Sequence, residues 1–212
     1  MAEQANLVLL GCRAEDLSTM LKTVQPGQSF ADKTVVSLMA GLSFQGLRQQ
    51  LVDSGAPDST PLVRVIPTFG ARAANSASLM AVGPSASDKD VEVAEKFFKP
   101  LGTLLRVDES MLNKGVAVGA ACHALAVTAI DTITDAGVAE GIPRSTAFAL
   151  VAQNLASASK LMADGMSAEE LKAALSTPSG ITLNSVMQLE RGGARVGVAD
   201  AARAAIKYAE SM

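Results

Sequence analysis

The stretch Met111–Ala136, which reads MLNKGVAVGAACHALAVTAIDTITDA, decides the fold of this chain of 212 residues. Its residues are mostly small and apolar nearly all round a helix, and a helix of that kind must be buried on every side. The region that contains it, residues 108–212, is too small to enclose such a helix alone. We therefore predict one long helix, with a break near Gly115 or Gly119, around which a second copy of the chain wraps.

The remainder of residues 108–212 also has helical patterns, separated by glycine, proline and polar loops. The predicted helices are Arg144–Asp164, Ser167–Leu175, Thr182–Glu190 and a last one from about Ala194 to the end. No strand is predicted after residue 108.

Before residue 108, short apolar runs alternate with helical segments, which is typical of a layered α/β fold. The predicted strands are Asn6–Cys12, Thr34–Ala40, Leu62–Ile66, Leu79–Val82 and Gly102–Val107, and the predicted helices are Ala14–Thr23, Ser43–Val52 and Asp88–Phe98. The sequence thus predicts two domains, an α/β domain over residues 1–107 and an all-helical domain over residues 108–212.

Charge and cysteine usage exclude several classes of function. The formal net charge is −3 and the Lys and Arg residues are scattered, so nothing indicates a nucleic-acid surface. Cys12 and Cys122 lack the spacing of metal ligands, and we expect no metal. The N-terminal segment lacks a basic region, and the longest apolar run, around residues 115–130, falls short of the roughly 20 residues that cross a membrane. We expect a cytoplasmic protein without a membrane partner.

The helical half carries motifs in a recognisable order. They are Asp135–Val138 (DAGV), Gly141–Arg144 (GIPR), Gln153, Lys160, Ser176–Thr182 (STPSGIT) and Leu189–Gly193 (LERGG), with Arg64–Pro67 (RVIP) upstream. This order and approximate spacing resemble the pyrroline-5-carboxylate reductase family. The resemblance implies a partial Rossmann-like parallel sheet followed by an all-helical dimerisation domain, and therefore a homodimer. Members of the family use a nicotinamide cofactor to reduce a cyclic C=N bond.

The cofactor side of the family pattern is not matched. The family opens with a strand, a Gly-x-Gly-x-x-Gly type turn and a helix that together hold the pyrophosphate, whereas this chain starts at what resembles a later strand. Gly41–Gly46 (GLSFQG) is a partial lookalike that matches an ordinary family turn. Thr68–Gly70 stands where the family has Asn-Thr-Pro near the nicotinamide. We therefore expect an N-terminally truncated, divergent member with no cofactor and no cofactor-binding residues.

The substrate side is better preserved. In the family, a loop before a helix holds the substrate carboxylate on backbone N–H groups and hydroxyls, and the resemblance places Thr177, Ser179, Gly180 and Thr182 at the matching positions. A turn with a helix behind it is chemically an anion site. The alternative is an ordinary capped helix start, with Thr182 or Ser179 as the N-cap.

Few single side chains stand out as candidates for catalysis. His123 is the one histidine and replaces a family proline near the expected pocket; histidine is the residue type that most often serves as a general acid or base. The alternative is a packed or lid-side histidine that only hydrogen-bonds. Asp131 and Asp135 lie one helical turn apart, where a solvated or salt-bridged edge is expected. Arg64 and Arg72 flank the altered segment after Pro67 and could each bind an anion, but we expect a surface role for both.

These observations lead to one leading hypothesis and two alternatives. The first is a non-redox catalyst of the cyclase or isomerase type, in which His123 moves a proton on a cyclic imine, amine or carboxylate metabolite bound by the 177–182 loop. The second is a binding or scaffold protein without catalysis. The third is a genuine NAD(P)H-dependent pyrroline-5-carboxylate reductase that another chain completes.

Overall fold

The computed structural model describes residues 5–24, 30, 32–177 and 180–211. The strands are β1 (Leu7–Leu10), β2 (Thr34–Ser37), β3 (Leu62–Ile66), β4 (Ser76–Val82) and β5 (Gly102–Arg106). The helices are α1 (Leu17–Val24), α2 (Phe44–Asp53), α3 (Asp88–Phe98), α4 (Glu109–Ala139), α5 (Arg144–Ala163), α6 (Ala168–Leu175), α7 (Ile181–Arg191) and α8 (Ala194–Glu210). Short 3₁₀ segments occupy Ala14–Asp16, Phe69–Ala73 and Lys99–Leu101.

The five strands form one sheet in the order β1-β2-β3-β4-β5. All neighbouring pairs are parallel except β3 and β4, which are antiparallel. The predicted α/β layering followed by helices is confirmed, and the bounds of β3 and α3 agree with the prediction. The predicted strand at residues 79–82 is wrong in its start, because β4 begins three residues earlier, at Ser76.

Each face of the sheet carries its own core, because successive side chains of a strand point to opposite faces. On one face Val35 packs in a cluster with Leu17 of α1 and Leu47 of α2. On the other face the neighbouring Val36 packs in a cluster with Val91 of α3. All residues of β2 and β3 are buried, which explains why both strands are mostly apolar apart from Thr34, Ser37 and Arg64.

Helix α4 is continuous, so the predicted break near Gly115 or Gly119 is wrong. Gly115 lies where a Cβ atom would come 2.4 Å from Leu79 Cδ1, and a glycine there lets α4 approach β4 closely. The glycine serves packing against the sheet rather than a turn of the chain.

The chain divides into two compact units, Met1–Gly119 with Ile206–Met212 and Ala120–Ala205. The domain boundary at residues 107 and 108 stays a prediction, and α4 contributes to both units. In the second unit many apolar side chains of α4 are exposed to solvent, among them Leu125, Val127 and Ile133. The expectation that the apolar run around residues 115–130 is too short to cross a membrane is wrong, because α4 suffices by length and composition alone. The core helices of soluble proteins share this property. The uncovered apolar surface of α4 needs a partner.

Candidate functional site

The start of helix α7 is the candidate anion site. The N-cap residue is Gly180, which has extended backbone angles and contributes no side-chain hydrogen bond to the helix. Its N–H donates to the Thr177 carbonyl at 2.8 Å, which closes a tight turn before the helix. No acidic residue lies in the first turn of α7. The first N–H groups of α7 therefore lack an internal carboxylate and favour an anion.

Gly180 is required by space at this turn. A Cβ atom there would lie 2.4 Å from Thr177 Oγ1 and 2.8 Å from the Thr177 carbonyl oxygen. Any other residue would have to push the two apart, since real Cβ contacts are essentially never this short. The geometry of the turn thus depends on a glycine at position 180.

The other predicted substrate residues differ in how far they are exposed and in whether the structure describes them. Thr177 is exposed and Thr182 is half-buried in the first turn of α7. Ser179 lies outside the described residues. The alternative with Thr182 as the N-cap is wrong, because Gly180 occupies that position. That Thr177, Gly180 and Thr182 bind a substrate stays a prediction.

An open groove runs beside α7, with a volume of about 840 Å³. Its lining includes Ile181, Asn184 and Gln188 of α7 together with Ile133 of α4. Ile181 is 88% exposed, so the mouth of the groove is apolar. A polar helix start beside an apolar groove suits a small organic anion or the surface of a partner protein.

His123 lies on α4, in the same compact unit as the 177–182 loop. Its side chain is exposed in the single chain, and the alternative of a packed or lid-side histidine stays open. Among the described residues none is recorded in a hydrogen bond or ion pair with His123, and it is not one of the residues that line the groove beside α7. A catalytic role for His123 stays a prediction.

The paired aspartates of α4 form a salt-bridged edge, as expected. Arg144 Nη1 donates to Asp135 Oδ1 at 2.6 Å, and Arg144 Nη2 lies 3.8 Å from Asp131 Oδ1. The hydrogen bond with Asp135 and the two nearby carboxylates raise the pKa of the Arg144 guanidinium. The three side chains are all exposed, so they stabilise the α4–α5 turn only modestly.

The expectation of a surface role for Arg64 is wrong. Arg64 is the middle residue of β3, and only 3% of its side chain is exposed. Nη1 donates to Glu109 Oε1 at 2.9 Å and Nη2 to the Met39 carbonyl at 3.3 Å, while Nε has no partner among the described residues. The guanidinium carbon also lies 5.9 Å from the centre of the Phe44 ring. Sequence reasoning missed Glu109, although an arginine inside an apolar strand implies a buried counter-charge.

The Glu109 carboxylate occupies the place where a phosphate would bind at the Gly41–Gly46 turn. The N–H of Phe44, in the first turn of α2, donates to Glu109 Oε1 at 2.5 Å. The helix end that attracts an anion therefore already holds an internal one. These residues do not fit the pyrophosphate of a nicotinamide cofactor.

Comparison with known proteins shows what this chain is similar to. Residues 109–212 match the family described as "Pyrroline-5-carboxylate reductase dimerisation". Over all 212 residues the chain is 28% identical to a pyrroline-5-carboxylate reductase of Schizosaccharomyces pombe, and it spans 73% of that protein. The chain is thus similar along its whole length to pyrroline-5-carboxylate reductases, and its helical half is similar to their dimerisation domain.

Solved reductase structures share the fold. The 1-pyrroline-5-carboxylate reductase of Streptococcus pyogenes matches all of this chain and 78% of its own, with a TM-score of 0.82 at 26% identity. A pyrroline-5-carboxylate reductase of Coxiella burnetii matches 99% of this chain and 77% of its own, with a TM-score of 0.87 at 20% identity. The predicted Rossmann-like sheet followed by a dimerisation domain is confirmed.

The comparisons also bear on the predicted function. The relative from Schizosaccharomyces pombe and the two structural neighbours are named as reductases, which gives no support to the expectation of a cofactor-free cyclase or isomerase. The match to a dimerisation family supports assembly into a homodimer. The chain is thus reductase-like, and its substrate and reaction remain proposals.

Proposed function

We propose that this protein acts on a small cyclic imine carboxylate and takes part in the reduction of its C=N bond. The observation that carries the proposal is the similarity along the whole chain, at 28% identity over 212 residues, to an enzyme named for that substrate. The open start of α7 supports it, because a substrate carboxylate is an anion of suitable size for uncapped N–H groups.

The residues of this chain account for the substrate side of the reaction. The N–H groups at the start of α7 bind the carboxylate, and the tight turn between Thr177 and Gly180 fixes their direction. The hydroxyls of Thr177 and Thr182 are available as further donors. A hydride from a reduced nicotinamide would supply the reducing equivalents, and the closed start of α2 is not where its pyrophosphate binds.

The test is turnover of pyrroline-5-carboxylate by the purified protein, with NADPH, with NADH and without either. We expect proline to form only with a reduced nicotinamide. Gly180→Ala should lower kcat/KM by at least about tenfold, since a displaced anion-binding turn misplaces the substrate. Gly197→Ala is the matched control, because a Cβ there meets nothing within 4 Å. Absence of proline under all three conditions would overturn the proposal.

A second candidate function keeps the same substrate pocket without a cofactor. The observation in its favour is that Glu109 fills the anion-binding end of α2. In this alternative His123, exposed on α4, moves a proton on the bound metabolite as a general acid or base. Its measurement is nicotinamide-independent conversion of a cyclic imine. His123→Ala should then lower the rate by roughly 10²-fold while the oligomeric state stays unchanged.

The proposal includes assembly and location. Two copies associate through the apolar faces of the helical half, whose exposed side chains need cover. We place the protein in the cytoplasm, where small metabolites and nicotinamides are available. Neither a nucleic acid nor a membrane is part of the proposal.

A further inference from the structure

A cleft between α1 and α2 has no part in the proposed function. Its volume is about 430 Å³, and its mostly polar lining consists of Ser18, Leu21, Lys22, Gln50, Asp53 and Ser54. Because β1, β2 and β3 are parallel neighbours, α1 and α2 both run back along the sheet and end beyond the amino ends of these strands. Ligands of open α/β sheets bind at the carboxyl ends, so the cleft is a separate surface.

The end of α2 supplies an unused acceptor and a negative charge. Gln50 Oε1 is buried and has no hydrogen-bond partner among the described residues, which is a costly state for a polar atom. When the amide turns towards the cleft, this oxygen gains a donor from a ligand. Asp53 is the last residue of α2, and no basic residue lies in the last turn of that helix. A carboxylate at the negative end of a helix attracts a cation.

The opposite wall of the cleft supplies a positive charge. Lys22 is exposed and lies in the last turn of α1. In the part of the chain that the structure describes, no ion pair is recorded between Lys22 and Asp53 or any other carboxylate. Two opposite charges that line one cleft without contacting each other leave room for a molecule that carries both.

We infer that this cleft binds a small zwitterion, a free α-amino acid. The ammonium group of the ligand donates to the Asp53 carboxylate and to Gln50 Oε1. Its carboxylate accepts from Lys22 Nζ and from the hydroxyl of Ser18. A small apolar side chain suits Leu21, the one apolar residue of the lining. A plain amine or a plain carboxylate would leave one of the two charges of the cleft without a partner. The site does not depend on the proposed function.

The test is an NMR titration of the ¹⁵N-labelled full chain that follows the side-chain amide signal of Gln50, which Gln50→Leu assigns by removing it. The probes are L-alanine, ethylammonium, which lacks the carboxylate, and propionate, which lacks the ammonium group. We expect a saturable shift of the Gln50 signal with L-alanine, with a dissociation constant of about 1 mM. Each probe with a single charge should bind at least about fivefold more weakly.

Charge variants test the two walls of the cleft separately. Lys22→Met and Asp53→Asn should each raise the dissociation constant for L-alanine at least about threefold. Lys96→Met is the matched control, because Lys96 is exposed in the last turn of α3 and does not line the cleft, and it should leave binding unchanged. The inference would be overturned by the absence of a saturable shift with L-alanine, or by a single-charge probe that binds as tightly. Unchanged binding in both Lys22→Met and Asp53→Asn would overturn it as well.

Discussion

The ion pair between Arg64 and Glu109 should be a main determinant of the stability of the sheet-containing unit. Arg64 is almost fully buried, and Glu109 is its one carboxylate partner among the described residues. Replacing Glu109 with Ala leaves a buried guanidinium without its counter-charge, which costs about 3–5 kcal/mol for a fully buried pair. Because 37% of the Glu109 side chain is exposed, water replaces part of the interaction, and we expect a loss of about 2–4 kcal/mol.

The milder variant Glu109→Gln separates the charge from the hydrogen bonds. A glutamine oxygen still accepts from the Phe44 N–H and from Arg64, so the loss should fall to about 1–2 kcal/mol. For a chain of this size each kcal/mol moves Tm by roughly 2–4 °C. We therefore expect Glu109→Ala to lower Tm by roughly 5–15 °C, and Glu109→Gln by less than half of that.

The assay is differential scanning calorimetry at one protein concentration, because Tm of an oligomer depends on concentration. Glu95→Ala is the control, since half-buried Glu95 pairs at 2.5 Å with Lys99, which is largely exposed to water, and such a pair contributes about 0.5 kcal/mol or less. High salt should weaken the control pair and leave the Glu109 effect almost unchanged. If Glu109→Ala lowered Tm no more than Glu95→Ala, the buried pair would not be a main determinant of stability.

Three further predictions concern association, pH and packing. Val127 is 68% exposed in the single chain, and Val127→Asp should shift the protein towards monomer in light scattering. The control Val52→Asp on α2 should leave the protein dimeric. Equally dimeric Val127→Asp and Val52→Asp proteins would contradict this prediction. Burial tends to raise the pKa of Asp90, but hydrogen bonds from Ser87 and Thr34 outweigh it and hold that pKa below its ordinary value. The contribution of Asp90 to stability is therefore complete above the unfolded-state pKa and is lost as pH falls through the lowered folded-state pKa. In an acid titration, Asp90→Asn should therefore lose less stability below about pH 4 than the unmodified protein does. Gly115→Ala should change the free energy of unfolding by no more than about 1 kcal/mol in urea unfolding, because Leu79 Cδ1 is the far end of a flexible side chain and alanine favours the helix by about 1 kcal/mol. A larger loss would show that Leu79 has no room to move.

Much of the sheet can be predicted from the sequence, because buried strands are continuous apolar runs. The prediction for β3 is correct to the residue, since all of its side chains except Arg64 are apolar and Pro67 follows at once. The prediction for β4 is too short because this strand opens with Ser76 and Ser78, residues typical of loops. Both are buried and share a hydrogen bond of 2.9 Å, so each satisfies the other inside the sheet.

The direction of β4 is explained by the length of the segment before it, once the strand is known to begin at Ser76. The connection over residues 67–75 is too short for the crossover that joins parallel strands, which takes a dozen residues or more. The antiparallel pairing of β3 and β4 agrees with that length. The internal partner of Arg64 could not be named in the same way, because Glu109 is 45 residues away in sequence.

At the candidate site, the sequence motif identifies the start of α7 but not the residue that caps it. The motif over residues 176–182 places a helix start correctly, yet Gly180 rather than a hydroxyl residue is the N-cap. The distinction matters chemically. A Ser or Thr cap would satisfy one of the first N–H groups of the helix internally, whereas a glycine cap leaves them to a ligand or to water.

Helix α4 contributes both to the stability of the sheet-containing unit and to the association of two copies of the chain. Its first part packs on the sheet through Leu112, which is fully buried, and its Glu109 neutralises Arg64. Its later part exposes Leu125 and Val127, and the match to a dimerisation family supports their cover by a second copy of the chain. Because the helix is continuous, substitutions at its start should act on the stability of the sheet-containing unit, and substitutions after residue 120 should act on association. The Glu109 and Val127 variants, measured together by calorimetry and light scattering, should therefore show separate and additive effects.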